Sequence, residues 1–168
     1  MWNYRGQQRP EFALQPGPGE ESVWDYPRPP RLARSQKRVL VQVGDTVVAD
    51  SSRAIRILET ASPPTYYLPP EDVDFATLID TPGSSFCEWK GRANYYALAT
   101  GGGVVGWQYR QPVEAFAEIS GFLSFYPGKL ACSVDGERVR PQPGDFYGGW
   151  VTDEIVGPFK GDPGTGHW

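Results

Sequence analysis

Alternation of apolar and polar positions is the main structural signal in the middle of this chain. Val39, Val41 and Val43 recur at every second position, which is the period of a β-strand with one buried face. A Gly-Asp pair at 44–45 predicts a tight turn, and the Thr-Val-Val-Ala run at 46–49 predicts the returning strand. The pattern therefore predicts a β-hairpin.

The rest of the chain predicts further short strands and little helix. The best helical pattern is PVEAFAEI at 112–119, where Pro112 opens the helix and Phe116 and Ile119 fall on one face. A second helical start follows a proline pair, carries carboxylates in its first turn, and spans 69–78 at most. Further strands are predicted at residues 55–59, 65–68, 84–89, 93–99, 104–109, 122–126, 130–134 and 138–139.

Glycine and proline content supports the same fold class. The 168 residues include 20 glycines and 17 prolines, a composition typical of short strands joined by many turns. We predict a mainly β protein of compact antiparallel sheets, with one or two short helices and irregular, aromatic-rich termini.

The chain divides into three segments. Residues 1–37 form a Pro/Gly-rich N-terminal arm, residues 38–140 the β domain, and residues 141–168 an ordered, irregular tail that packs on the domain. Trp2 and Trp24 would be costly in a free arm. We expect parts of the arm to lie on a surface, either of its own domain or of a second copy, so a homo-oligomer built through the arm is one hypothesis.

Charge and cysteine content argue against several classes of protein. The net charge of −4 argues against a nucleic-acid partner. No run is long and apolar enough for a membrane span, and the start lacks the apolar core of a signal peptide, so we expect a cytoplasmic protein. Two cysteines and one histidine are too few for a structural zinc site. We therefore predict no metal and no cofactor.

Several motifs of the middle region resemble a known bacterial family. The run VVADSSRAIRILETASPPTYYLPPEDV at 47–73 resembles the opening of the family called domain of unknown function 427 (DUF427). SFCEWKGRANYYAL at 85–98 resembles its Cys-x-x-Lys-Gly-x-Ala-x-Tyr signature, and the Trp-Gln-Tyr at 107–109 and the strand at 122–126 stand where the family has aromatic motifs. The resemblance covers residues 38–140.

The resemblance implies strongly bent antiparallel sheets, similar to the β-tent (Mss4-like) group. Relatives in that group hold zinc or bind small heterocycles in an aromatic cage, but the zinc cysteines are missing here. The family also carries a nucleotidyltransferase-like label. Gly83-Ser84 is present, yet no spaced carboxylate pair follows it to hold two Mg²⁺ ions, and no P-loop is present. The motifs therefore do not support that label.

The predicted strand at 93–99 carries the first candidate site residue. Ala93, Tyr95 and Ala97 share one face, because alternate residues of a strand do so. Small alanines on either side of Tyr95 suit a shallow pocket with an aromatic wall. They equally suit plain packing of the sheet against another layer.

Three polar residues near this strand are further candidates. Lys90 lies at a hairpin corner before Gly91, where it could bind an anionic group, stack on an aromatic ring or point into solvent. Glu59 ends an apolar strand face and could pair with Lys90, Arg56 or a tyrosine hydroxyl. Cys87 is best explained as a buried structural thiol.

Three functions fit these residues. The preferred one is a non-catalytic binding module with an aromatic-walled polar pocket for a small planar or polar ligand. The alternatives are a small enzyme that uses Glu59 as acid or base with Lys90, and an assembly protein that exchanges aromatic arms. The predicted ligand-binding residues are Glu59, Tyr66, Tyr67, Cys87, Lys90, Tyr95, Trp107 and Tyr109.

Overall fold

The computed structural model of the protein describes residues 2–168, and β-strands dominate it. Short 3₁₀ helices lie at Val23–Asp25, Pro70–Asp72, Phe75–Thr77 and Glu114–Ile119. The strands are β1 (Glu21–Ser22), β2 (Arg31–Arg34), β3 (Val39–Val43), β4 (Thr46–Ser51), β5 (Ile55–Leu58), β6 (Thr65–Tyr67), β7 (Leu78–Cys87), β8 (Gly91–Leu98), β9 (Val104–Gln108), β10 (Leu123–Phe125), β11 (Ala131–Val134), β12 (Glu137–Arg138), β13 (Arg140–Pro141), β14 (Trp150–Val151) and β15 (Ile155–Val156).

Antiparallel pairing organises these strands into small sheets. One sheet has the order β12-β11-β3-β4, a second β10-β9-β8-β7 and a third β2-β5-β6. The pair β13–β14 is antiparallel, whereas β1 and β15 pair in parallel. The prediction of a mainly β protein with antiparallel sheets is confirmed. The narrower β-tent (Mss4-like) assignment stays a prediction.

Two local predictions differ from the structure. The expected helix at 112–119 is a six-residue 3₁₀ helix, and its backbone leaves helical geometry at Phe116. Pro112 and the left-handed Gly121 bracket a segment too short for a stable α-helix. The Thr-Pro-Gly run at 81–83 predicts a turn, but it forms a bulge within β7, which pairs with β8 on both sides of it. Because β7 is an edge strand, it tolerates a proline there.

Adjacent residues of a strand place their side chains in two different hydrophobic cores. We call the cluster around Val39, Val41, Phe125 and Trp150 the main core, and Tyr66 and Tyr96 belong to it. Successive residues of a strand face opposite sides, so the sequence neighbours of these tyrosines lie on the opposite face. There they meet the second core, whose buried members are Ile55, Ile57, Tyr67, Ala93, Trp107, Tyr109, Phe116 and Ile119.

Both ends of the chain pack on this framework through aromatic rings. Trp24 is only 1% exposed. Its ring lies 5.3 Å from that of Trp168, which stacks on Phe12 at 5.0 Å. β2 lies at residues 31–34, in the segment assigned to the arm, and pairs with β5. Arm exchange between copies stays a prediction.

No helix among residues 2–168 combines the length and the apolar character needed to cross a membrane.

A substitution at Gly106 tests the close packing of the central strand β9. A methyl group at this position would lie 2.7 Å from the Ser124 carbonyl oxygen and 2.9 Å from Cδ1 of Phe125. We expect Gly106→Ala to lower the free energy of unfolding by about 1–3 kcal/mol, measured by urea denaturation. Gly103→Ala is the matched control, since nothing lies within 4 Å of its added methyl group, and should change stability by less than about 0.5 kcal/mol. Equal stability of the two variants would contradict the packing at β9.

Candidate functional site

A cavity of about 630 Å³ opens beside the second core. β5, β6, β8 and β9 supply its wall, because the residues of these strands that face the second core also reach the cavity. Trp2 and residues 145–149 line it from the two ends of the chain. The cavity therefore lies between the sheets and the segments that cover them.

Three buried aromatic side chains form the wall. The indole Nε1 of Trp107 donates a hydrogen bond of 3.0 Å to the Tyr67 hydroxyl. The Tyr109 ring lies 6.2 Å from the Tyr67 ring, and the Tyr126 ring lies 4.7 Å from Trp107. Burial raises the pKa of Tyr126 to about 12. Burial also raises the pKa values of Tyr67 and Tyr109, so these hydroxyls stay neutral at physiological pH.

Tyr95 extends the wall toward solvent. It is half-buried and lines the cavity on the same face as Ala93, in agreement with the alternation of the strand. Its hydroxyl is hydrogen-bonded to Ser85 Oγ at 2.6 Å across the β7–β8 pair. This bond orients the ring at the rim.

Lys90 lies at the corner between β7 and β8, and it is buried. Only 8% of the residue is exposed, and Nζ lies 5.8 Å from the centre of the Tyr109 ring. The corner is held in place because Val113 N–H donates to the Lys90 carbonyl at 3.0 Å, while Gly91 adopts a φ of +107°. The structure thus points this lysine into the cavity and away from bulk solvent.

The charge of Lys90 is retained despite its burial. Burial lowers the pKa of Lys90, but the polar groups around it, namely the Tyr67 hydroxyl, the Cys87 thiol and the Glu59 carboxyl group, outweigh this effect and hold its pKa above the ordinary value. Among residues 2–168, no carboxylate oxygen lies within 4.0 Å of its Nζ. Lys90 is therefore a buried cation without an ion-pair partner.

Glu59 lines the cavity but pairs with a residue that the sequence analysis did not consider. Arg28 Nε donates to Glu59 Oε2 at 3.2 Å, and the Arg28 guanidinium also donates to the backbone carbonyls of Tyr4 and Thr60. The proposed partners Lys90 and Arg56 are wrong. Arg56 pairs with Glu21 instead, because alternation along β5 sends it to the face opposite Ile55 and Ile57.

Lys160 is a site residue that the sequence analysis missed. It is 3% exposed, lines the cavity, and places Nζ 3.9 Å from the centre of the Trp2 ring. Burial and repulsion by Arg28 lower its pKa. Arg28 contacts the same Trp2 ring at 4.2 Å. Lys160 lies in an irregular tail with no periodic pattern, so nothing in the sequence signalled its position.

Tyr66 is the one predicted ligand-binding residue that lies outside the cavity. Its ring stacks on Trp150 at 5.0 Å in the main core, and burial raises its pKa to about 12. From the sequence alone, both residues of the Tyr66-Tyr67 pair are candidates. The other predicted residues line the cavity: Glu59, Tyr67, Cys87, Lys90, Tyr95, Trp107 and Tyr109.

Residues 31–140 match the family model described as domain of unknown function (DUF427). The chain belongs to this family. No curated protein sequence matches the chain. The matched region of this DUF427 protein contains the seven predicted residues that line the cavity. Trp2, Tyr147 and Lys160, which line its mouth, lie outside the matched region. Arg28, which contacts the Trp2 ring, lies outside it as well. Within residues 2–168, no three His, Cys, Asp or Glu side chains come together as a metal-ligand group.

Arg28 is expected to stabilise the fold by tying the arm to the cavity. Its side chain is fully buried, so Arg28→Met leaves Glu59 and two backbone carbonyls without their donor. We expect a loss of about 2–4 kcal/mol in the free energy of unfolding. Arg34→Met is the matched control, because Arg34 pairs with Glu118 while 79% exposed, and should cost less than about 1 kcal/mol. Urea denaturation compares the two, and equal losses would contradict the buried role of Arg28.

The two cysteines report on access to the cavity. Cys87 is half-buried and lines the cavity, whereas Cys132 is fully buried in the main core, where burial raises its pKa to about 12. We expect iodoacetamide at pH 8 to alkylate Cys87 in the native protein and both cysteines after unfolding in guanidinium chloride. Peptide mass spectrometry assigns the sites. Native labelling at Cys132, or none at Cys87, would contradict this arrangement.

Proposed function

We propose that this protein is a non-catalytic binding module whose cavity takes a small planar molecule. The observation that carries the proposal is the open cavity of about 630 Å³ with an aromatic wall of Tyr67, Trp107 and Tyr109. Ligand pockets of proteins have volumes of this order and combine apolar walls with a few convergent polar groups. Here the polar groups are Glu59, Lys90 and Lys160.

Rigidity of the wall supports binding of a flat ring. Trp107 donates a hydrogen bond to Tyr67, and both side chains are more than nine-tenths buried. Their rings therefore lose little conformational freedom when a ligand packs against them. Aromatic rings favour offset or edge contacts with other aromatic rings, and these suit a planar ligand.

The two alternatives have weaker support. An enzyme that uses Glu59 as acid or base has weaker support because Arg28 donates to Glu59 Oε2, and this contact makes the carboxylate part of a structural ion pair. Arm exchange requires aromatic side chains of the arm that become buried against a second copy of the protein. Trp24, the largest of the buried arm side chains, is already covered within its own chain.

A side chain that fills the cavity tests the proposal. Ala93 on β8 lines the cavity, so Ala93→Phe places a ring where the ligand would bind. The probes are 2-naphthoate and 2-naphthamide, which share one ring system. We expect the native protein to bind both with a Kd of about 1 mM or tighter, measured by ligand-observed NMR and calorimetry. In Ala93→Phe we expect both affinities to fall at least about tenfold.

Ala117→Phe is the matched control, since it makes the same substitution at an exposed position of the 3₁₀ helix. It should bind both probes as the native protein does. Ser62→Trp provides a second blocking variant at the half-buried rim, where a large side chain needs no repacking of the core. The proposal fails if neither probe binds, or if both blocking variants bind the probes normally.

A further inference from the structure

Two buried lysines line the cavity without a carboxylate partner. Lys90 and Lys160 are 8% and 3% exposed. Neither takes part in any of the salt bridges among residues 2–168, which join other side chains. A buried ammonium group without a counter-charge is costly, and proteins normally pair such groups. Among residues 2–168, no carboxylate oxygen therefore lies within ion-pair distance of either ammonium group.

Hydrogen-bond donors are in excess at the Lys90 end. The indole Nε1 of Trp89 is buried and has no acceptor within the described chain. Trp89 precedes Lys90 and also lines the cavity. The hydroxyl of Tyr67, on the same side, already accepts from Trp107. At this end a cation without a carboxylate partner lies beside an N–H donor without an acceptor, and both are complementary to an acceptor with negative charge.

No carboxylate that lines the cavity forms an ion pair with Lys90. Glu88 and Asp145 line the cavity, but both side chains are exposed at its mouth, where water and salt screen their charge. Glu59 is the remaining carboxylate, and Arg28 donates to it. The negative charge thus lies at the rim, whereas Lys90 lies at depth.

We propose that the cavity recognises an oxyanion carried by a planar ring, with Lys90 binding the oxyanion and Trp107 and Tyr109 packing against the ring. This inference rests on the proposed binding function and names the class of its ligand. Lys160 adds positive potential nearer the mouth, where it stacks over Trp2. Lys90 is the anchor because its backbone is fixed by Val113 and Gly91.

A cationic ligand is the opposite expectation from the same aromatic wall. Rings of tyrosine and tryptophan attract cations, and aromatic cages for quaternary ammonium groups use this attraction. In this cavity the Lys90 ammonium already lies on the Tyr109 side, 5.8 Å from the ring centre. A ligand cation would be repelled there, since both charges would share a poorly solvated site.

Probes that share a naphthalene ring and carry different charges test the inference. They are 2-naphthoate, 2-naphthamide and 2-naphthylmethylammonium, with charges of about −1, 0 and +1 at pH 7. We expect the native protein to bind the carboxylate at least about tenfold more tightly than the amide, and the ammonium most weakly. Added NaCl should weaken binding of the carboxylate and leave the amide unchanged.

Lys90→Met assigns the preference to one side chain. Methionine has a similar length without the charge, so the variant should lose at least about tenfold in affinity for 2-naphthoate and change less than about twofold for 2-naphthamide. Lys129→Met is the matched control at an exposed lysine outside the cavity, and should bind all three probes normally. Calorimetry with each variant gives the affinities, and circular dichroism checks its fold. If Lys90→Met fails to fold, the salt dependence in the native protein decides the question.

The outcomes separate this inference from the proposed function. Three results would overturn the inference: equal binding of carboxylate and amide, tighter binding of the ammonium, or a Lys90→Met variant that binds both 2-naphthoate and 2-naphthamide equally more weakly. Each of these results would leave the proposed function, a module that binds a planar ligand, in place. Failure of all three probes to bind would overturn the proposed function as well. Where the preference holds, 2-naphthyl phosphate compared with 2-naphthoate identifies which oxyanion Lys90 prefers.

Discussion

Alternation of side chains along β5, β6, β8 and β9 is the constraint on which both the packing and the cavity depend. Since successive residues of a strand face opposite sides, Tyr66 and Tyr96 enter the main core, while Tyr67 and Tyr95 reach the cavity. A register shift of one residue would exchange these sets and put polar positions into both cores. The backbone hydrogen bonds that hold the sheets therefore also fix the aromatic wall of the candidate site.

The wall alone is an open sheet face, and both ends of the chain convert it into a cavity. Arg28 bonds to Glu59 and to two backbone carbonyls, so the arm is attached where β5 ends. Its guanidinium and the Lys160 ammonium contact the Trp2 ring at the mouth. The DUF427 match, residues 31–140, covers the wall and leaves these mouth residues outside. In this chain the family region and its flanks thus line one cavity together.

The placement of charge relates this architecture to the proposed ligand. Lys90 and Lys160 are buried, whereas Glu88 and Asp145 are exposed at the rim. Coulomb interactions are stronger where water is excluded, so Lys90, which lies deeper than the exposed carboxylates, contributes most to the field that a bound molecule would experience there. In the proposed function, the aromatic wall selects a ligand by its shape and the deep cation selects it by its charge. This combination is the physical basis of the oxyanion hypothesis.

The local sequence pattern and the tertiary structure determine different features of this protein. The sequence by itself determined the mainly β class, the shared face of Ala93 and Tyr95 and the corner at Lys90-Gly91, since these depend on strand period and glycine geometry. It could not decide which of Tyr66 and Tyr67 reaches the cavity, because periodicity does not say which core each face meets. Only the tertiary structure decided that Arg28 pairs with Glu59 and that Lys160 reaches the cavity. These contacts join segments far apart in the chain, and the path of irregular arms leaves no periodic signal in the sequence.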